Sequence, residues 1–97
     1  MSHVLIDNSE KKRYEFQLPE HTAFIEYIKA QEKIYLTHTE VPIALEGQGI
    51  GTALVHQVLE DVKAKDLTLV PLCPFVAAYI KKHPEYKALV LRGINIG

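Results

Sequence analysis

The sequence predicts an α/β fold of the α+β type. Four antiparallel strands lead into one parallel strand through a βαβ crossover, with two helices. Three observations point there. Residues 3–41 are a series of apolar or alternating runs cut by short polar breaks. Residues 52–65 carry apolar side chains at helical spacing. Between them lies "EVPIALEGQGIGTAL", residues 40–54, where a proline break is followed by three alternating glycines.

"HVLI", residues 3–6, is a short apolar run and reads as the first strand, with "DNSEKK" as a polar turn behind it. In "RYEFQL", Tyr14, Phe16 and Leu18 share one face, the mark of a half-buried strand. "PEH" breaks the run. "TAFIEYIKA", residues 22–30, is β-branched and aromatic enough for a third strand, and "QEK" turns the chain. "KIYLTHTEV", residues 33–41, puts Ile34, Leu36 and His38 on one face and Tyr35, Thr37 and Thr39 on the other. Strands joined by turns this short form an antiparallel meander.

From Thr52 to Lys65 the apolar positions are Leu54, Val55, Val58, Leu59 and Val62, the stripe of an amphipathic helix. "DLTLVPL", residues 66–72, suits a strand buried on both faces. Strand, helix and strand in that order place the fifth strand parallel to the fourth. Pro74 fits the first turn of a second helix, "PFVAAYIKK", because its missing N–H has no helical partner there. Pro84 ends that helix, since the residue before a proline avoids helical geometry. "YKALVL" reads as a last short strand or an extended tail, and "RGINIG" as a frayed end.

A chain of 97 residues predicts one domain, 1–97, able to bury roughly 60–70% of its unfolded surface. Hydrophobic residues are 47% and charged residues 24%, which argues against disorder. A net charge of −1 with mixed signs argues against nucleic-acid binding by phosphate neutralisation. A single cysteine excludes an internal disulfide and fits a reduced, cytoplasmic setting. The first residues lack the apolar core of a signal peptide, and no run approaches the roughly 20 apolar residues of a membrane span. His3, His21, His38, His56 and His83 have no metal-ligand spacing with one another or with Cys73, so no metal is expected. The expected state is a monomer or a weak homodimer, paired through an exposed edge strand such as "HVLI".

Gly47, Gly49 and Gly51 stand just before a helix N-terminus. The free N–H groups of a first helical turn, at the positive end of the dipole, suit an anion. Bare glycines let a phosphate approach those amides, and a pyrophosphate suits the loop best. A plain turn needing only φ > 0 is the alternative. The P-loop pattern fails because no lysine precedes Thr52, and the dinucleotide fingerprint fails because the spacing is G-x-G-x-G.

"EGQGIGTAL" resembles the acyl-CoA pyrophosphate loop of the GNAT N-acetyltransferase superfamily, Q/R-x-x-G-x-G/A. Glu46 falls on its first position, and Gly49 and Gly51 on its glycine positions; Gly47, Gln48, Ile50 and Thr52 complete the loop. More narrowly, "HTEVP", "GQGIGTALV" and "LVPLCPFVAAYIKKHPEY" are similar to small stand-alone GNAT-like proteins with a PxCxF/Y-type cysteine motif. The likeness covers residues 30–90. It implies transfer of an acetyl group from acetyl-CoA to an amine acceptor, a small molecule or a protein lysine. It implies that the fourth strand bulges near its break and that the Val41 N–H faces the thioester oxygen. Pro42 then stops the ladder, and the fourth and fifth strands splay to admit the pantetheine arm.

Cys73 stands at the N-terminal end of the second helix, where a thiolate is favoured. The matching cysteine of the small subfamily is a proposed active-site residue, which leaves Cys73 as an acetyl relay, a pocket lining or a small buried hydrophobe. Tyr79 matches the tyrosine that protonates the CoA thiolate in many members; the other role open to it is core packing with its hydroxyl at the rim. His38 and Glu40, on one face of the fourth strand near the splay, are candidate bases for the amine or ordinary strand residues. Two features depart from the family. Glu46 replaces Arg or Gln, and a carboxylate near a pyrophosphate is repelled by about 1 kcal/mol at about 4 Å in water. Only "DNSEKK" stands where larger members place two helices, which leaves the acceptor side open. A non-catalytic CoA-binding module and an interaction domain are the alternatives to an enzyme.

Overall fold

Tyr14, Phe16, Ala23, Ile25, Ile34 and Leu36 are buried on one face of a single twisted sheet in the computed structural model, which describes residues 3–93. The strands are β1 (Leu5–Asn8), β2 (Arg13–Leu18), β3 (His21–Ala30), β4 (Lys33–Glu40) and β5 (Thr68–Pro71). They lie in chain order, β1 to β4 antiparallel and β5 parallel to β4. Two helices, α1 (Ile50–Ala64) and α2 (Pro74–Lys82), complete the mixed α/β architecture read from the sequence. Among the described residues no helix is long and apolar enough to cross a membrane.

The predicted stripe of α1 is the buried one: Leu54, Val55, Val58, Leu59 and Val62 all meet the sheet core. Each such side chain contributes about 1.5–3 kcal/mol when removed from water. Polar contacts pin the far end of the helix. The Tyr14 hydroxyl donates to Asp61 at 2.7 Å, and Lys65 pairs with Asp61 at 2.8 Å and with Asp7 at 3.3 Å. The Tyr27 hydroxyl also donates to Asp7. These contacts tie the last turns of α1 to β1, β2 and β3, and so fix where its first turn points.

Several boundaries differ from the sequence reading. β1 is Leu5–Asn8 rather than residues 3–6, because its ladder with β2 runs from Leu5↔Phe16 to Asn8↔Arg13 and takes in the polar pair at the turn. α1 starts at Ile50, two residues before Thr52, because Gly49 already serves as its left-handed N-cap. Ile43–Leu45 forms a 3₁₀ turn that the Pro42 break did not foretell. "YKALVL" is neither a strand nor a fully extended tail. Pro84–Leu89 is 3₁₀, and only Val90 bridges to Leu69, with the Leu91 N–H donating to the Leu69 carbonyl at 2.8 Å. Of the predicted frayed end, residues 94–97 lie outside the described residues.

The largest correction concerns β4. Glu26 pairs with His38, but Tyr27 pairs with Leu36, so Thr37 is an extra residue in β4. This bulge reverses the alternation. Ile34 and Leu36 face the helices, whereas His38 does not; Thr39, opposite the core residue Ile25, takes that face instead. The expected grouping of His38 with Leu36 is therefore wrong, because unbroken alternation assumes a ladder without an insertion.

Among the described residues the other face of the sheet carries no helix, yet it buries Glu15 to 2% exposure. Arg13 Nε donates to Glu15 Oε2 at 2.5 Å, Asn8 to the same oxygen at 3.2 Å and Gln17 to Oε1 at 3.0 Å. Burial pushes the carboxyl upward, but these three hydrogen bonds outweigh it, and the net shift is downward. A carboxyl with a folded pKa below its unfolded value stabilises above the unfolded pKa and loses that contribution as pH falls through the folded one. Glu15→Gln is expected to be less stable than the parent near neutral pH and to lose less between about pH 5 and about pH 2, read from urea midpoints. Leu59→Ala, at a fully buried site on α1, is expected to cost about 2–5 kcal/mol in the same assay.

Candidate functional site

The β4–β5 ladder ends at Leu36↔Pro71. Two successive amides then converge on one acceptor: the N–H groups of Leu72 and Cys73 both donate to the Leu36 carbonyl, at 3.0 and 2.9 Å. These two hydrogen bonds to one oxygen turn the chain off the ladder and into α2. β4 continues to Glu40, paired with β3 alone. The sheet therefore opens from Thr37 onward, five residues before Pro42, to which the sequence reading had assigned the splay. The bulge and the turn at Leu36 do what the proline was expected to do.

The glycine loop borders this opening. The Leu45 and Glu46 amides are used in the 3₁₀ turn, bonded to Pro42 and Ile43 carbonyls. Gly47 and Gly49 then take φ of 83° and 74°, left-handed values open to glycine at little cost. The first bond of α1 runs from the Ala53 N–H to the Gly49 carbonyl at 3.0 Å. Among the described residues, no backbone carbonyl is in hydrogen-bond geometry with the N–H groups of Gly47, Gln48, Gly49, Ile50, Gly51 or Thr52. No acidic residue sits in the first turn of α1, and Glu46 is exposed beside it. The loop is thus a run of free donors at the positive end of a 15-residue helix.

These donors border a cavity of about 630 Å³, lined by Thr39, Glu40, Val41, Leu45, Phe75 and the loop from Glu46 to Thr52 apart from Gln48. Gln48 turns back instead, its side-chain amide 3.5 Å from the Ala44 carbonyl. Cys73 is buried at the N-cap of α2, and its Sγ lies 3.2 Å from the Thr39 hydroxyl. Since Thr39 lines the cavity, the thiol sits just behind its wall. Cys73 reaches this point because its N–H is held by Leu36 and its carbonyl accepts the Ala77 N–H at 3.0 Å.

The remaining candidates lie elsewhere. His38 and Glu40 do share a face, with Nε2 and Oε1 3.3 Å apart, but it is the helix-free one, and both are more than half exposed. Only Glu40 also borders the cavity. Tyr79 lies outside the cavity lining. Its hydroxyl is 3.2 Å from His56 Nδ1, and its ring stacks on His83 at 4.2 Å between centroids. Tyr86, 3.1 Å from the same Nδ1, donates its one proton to Glu60 at 2.6 Å. Burial, with the Glu85 and Glu60 charges, raises the Tyr79 pKa and keeps its hydroxyl protonated across neutral pH. The structure thus gathers Thr39, Val41 and the loop around the cavity, with the Cys73 thiol buried behind Thr39, and places Tyr79 with His56 and Tyr86 on the helical flank.

Sequence reasoning missed Thr39, Leu45 and Phe75. Thr39 was hidden by the bulge. Phe75 carried a legible sign, being a large apolar residue off the buried Val76–Ile80 stripe of α2.

Residues 13–89 match the family described as GCN5-related N-acetyl-transferase. The chain belongs to this family. Protein NATD1 of Xenopus tropicalis is 34% identical over 59 residues, 61% of this chain and 53% of that protein. The NATD1 proteins of Gallus gallus and Mus musculus are each 39% identical over 49 residues, half of this chain and 44% of theirs. The chain thus matches about half the length of these curated relatives.

The loop glycines separate by cause. Gly49→Ala is expected to cost about 1–2 kcal/mol, from left-handed backbone alone, since a Cβ there meets nothing within 4 Å. A Cβ on Gly51 would stand 2.9 Å from Phe75 Cζ and 3.2 Å from Val41 Cγ2, so the half-exposed Phe75 ring must shift to admit it. Gly51→Ala gains up to about 1 kcal/mol of helix propensity, so its net change is expected within about 1 kcal/mol of zero. Urea midpoints of the two variants check the contrast.

Proposed function

We propose that this protein transfers an acetyl group from acetyl-CoA to an amine. The observation that carries it is the run of unpaired amides from Gly47 to Thr52, open to a cavity that continues to the break in the sheet. Diphosphate oxygens satisfy such donors without any cation from a side chain, which is why Glu46 weakens binding rather than preventing it. The gap between β4 and the start of α2 accommodates the thioester arm, with Val41, Thr39 and Cys73 along its length.

In the transfer itself the amine nitrogen attacks the thioester carbonyl, the carbon–sulfur bond breaks, and the thiolate leaves with a proton. Cys73 is the side chain best set to take part, either as a covalent relay for the acetyl group or as the wall against which direct attack occurs. His38 and Glu40 lie on the opposite face of the same strand segment. That face lacks covering helices, so an amine approaching there meets a carboxylate and an imidazole as proton acceptors. Tyr79, whose hydroxyl meets His56 outside the cavity lining, is the weaker candidate for protonating the thiolate.

A second function, binding of acyl-CoA without turnover, is favoured by one observation: Cys73, Tyr79 and the His38–Glu40 pair do not converge on one point.

Titration of labelled protein with acetyl-CoA is expected to shift the amides of Gly47 to Thr52 first; absence of those shifts at millimolar ligand removes the basis of the proposal. Cys73→Ala is expected to lower turnover of an amine panel by about 10²-fold or more, and Tyr79→Phe by less than about tenfold. Intact-mass analysis after incubation with acetyl-CoA separates the two roles of Cys73, because only the relay leaves an acetyl adduct that Cys73→Ala abolishes.

A further inference from the structure

Glu46 is the side chain of the loop that an anion site does not account for. It closes the 3₁₀ turn of Ile43–Leu45, and its own N–H donates to the Ile43 carbonyl at 3.1 Å. Its backbone is extended, with φ −65° and ψ 148°, and the next residue, Gly47, opens the run of free amides. Its side chain is exposed and lines the cavity together with that run. Among the described residues no lysine, arginine or histidine stands within ion-pair distance of it. The other carboxylate of the wall, Glu40, already lies 3.3 Å from His38 Nε2.

The charge of this wall runs against its donors. Peptide amides are dipoles and carry no net charge. No cationic side chain lines the cavity, whereas Glu40 and Glu46 both do. An anion on the amides therefore stands beside a carboxylate that repels it, and the lining holds no cation to offset the repulsion. A cation that arrives with the anion removes the conflict. The described side chains do not by themselves make a metal centre, since no three histidine, cysteine or carboxylate groups among them could hold an ion. Mg²⁺ does not need such a set. It keeps several of its waters and is held by one or two carboxylates together with the phosphates of a substrate. Glu46 supplies a carboxylate where the amides place the phosphates.

We propose that Glu46 is a ligand for a hard divalent cation, Mg²⁺, that enters with the diphosphate and bridges it to the end of the 3₁₀ turn. The carboxylate then binds where it would otherwise repel, and the species taken up is the cation–diphosphate pair rather than the bare anion. The inference rests on the acyl-CoA reading of the loop.

Dissociation constants for acetyl-CoA test it in the parent, Glu46→Gln and Glu46→Arg, with millimolar Mg²⁺ and with KCl at the same ionic strength, so that screening is equal. In the parent, Mg²⁺ is expected to tighten binding about fivefold or more. Without Mg²⁺, Glu46→Gln is expected to bind about fivefold more tightly than the parent, because the repulsion is gone, and to respond to Mg²⁺ by less than about twofold. Glu46→Arg, which carries the cation on the chain, is expected to bind at least as tightly as Glu46→Gln and to gain nothing from Mg²⁺. No tightening by Mg²⁺ in the parent, or equal tightening in the parent and Glu46→Gln, overturns the role of Glu46 while leaving the loop as a diphosphate site. Failure of all three proteins to bind acetyl-CoA in either solution overturns the acyl-CoA reading itself, and the role of Glu46 with it.

Discussion

One carbonyl organises the site. Leu36 accepts from both Leu72 and Cys73, and this double acceptance ends the parallel ladder. Had β5 kept its register, the last residues of β4 would be covered on both edges and no opening would exist. With the ladder cut at Leu36, the following residue, Thr37, is free to bulge against β3. The bulge then sends Thr39 toward the helices and His38 and Glu40 to the opposite face. A chain segment of four residues thereby presents different chemistry to two sides of the same gap.

The loop depends on constraints from farther away. Free amides are useful only if they are held at a fixed place, and nothing within the loop itself holds them. α1 does so, through a buried apolar stripe along its length and the Tyr14, Lys65 and Asp7 contacts around Asp61 near its end. Its first turn is left without side-chain caps, and left-handed Gly49 takes the N-cap position.

Two groups of potentially reactive side chains result, and they are separate. Thr39 stands at the opening with Cys73 buried behind it. Tyr79, His56, Tyr86 and Glu60 form a hydrogen-bonded chain where α1, α2 and the 3₁₀ turn after α2 meet. The second group has an evident structural use, since Tyr86 is buried and its hydroxyl would otherwise lack a partner. It joins the last turns of the fold to α1 and keeps α2, hence Cys73 and Phe75, in place.

The sequence by itself determined the five strands, the two α-helices, their order and the left-handed glycines before α1. Those follow from local signals: alternation in "RYEFQL", the Leu54–Val62 stripe, Pro74 at a helix start, and glycines where φ is positive. The family pattern was legible for the same reason, since its residues lie close together in the chain. Tertiary structure alone decided which face His38 and Thr39 take, where the sheet opens, and that Phe75 rests on Gly51. A bulge is a property of the pairing between two strands, and no residue type in β4 announces it. The Gly51–Phe75 and Tyr79–His56 contacts join positions 24 and 23 residues apart, brought together only when α1 and α2 share one side of the sheet.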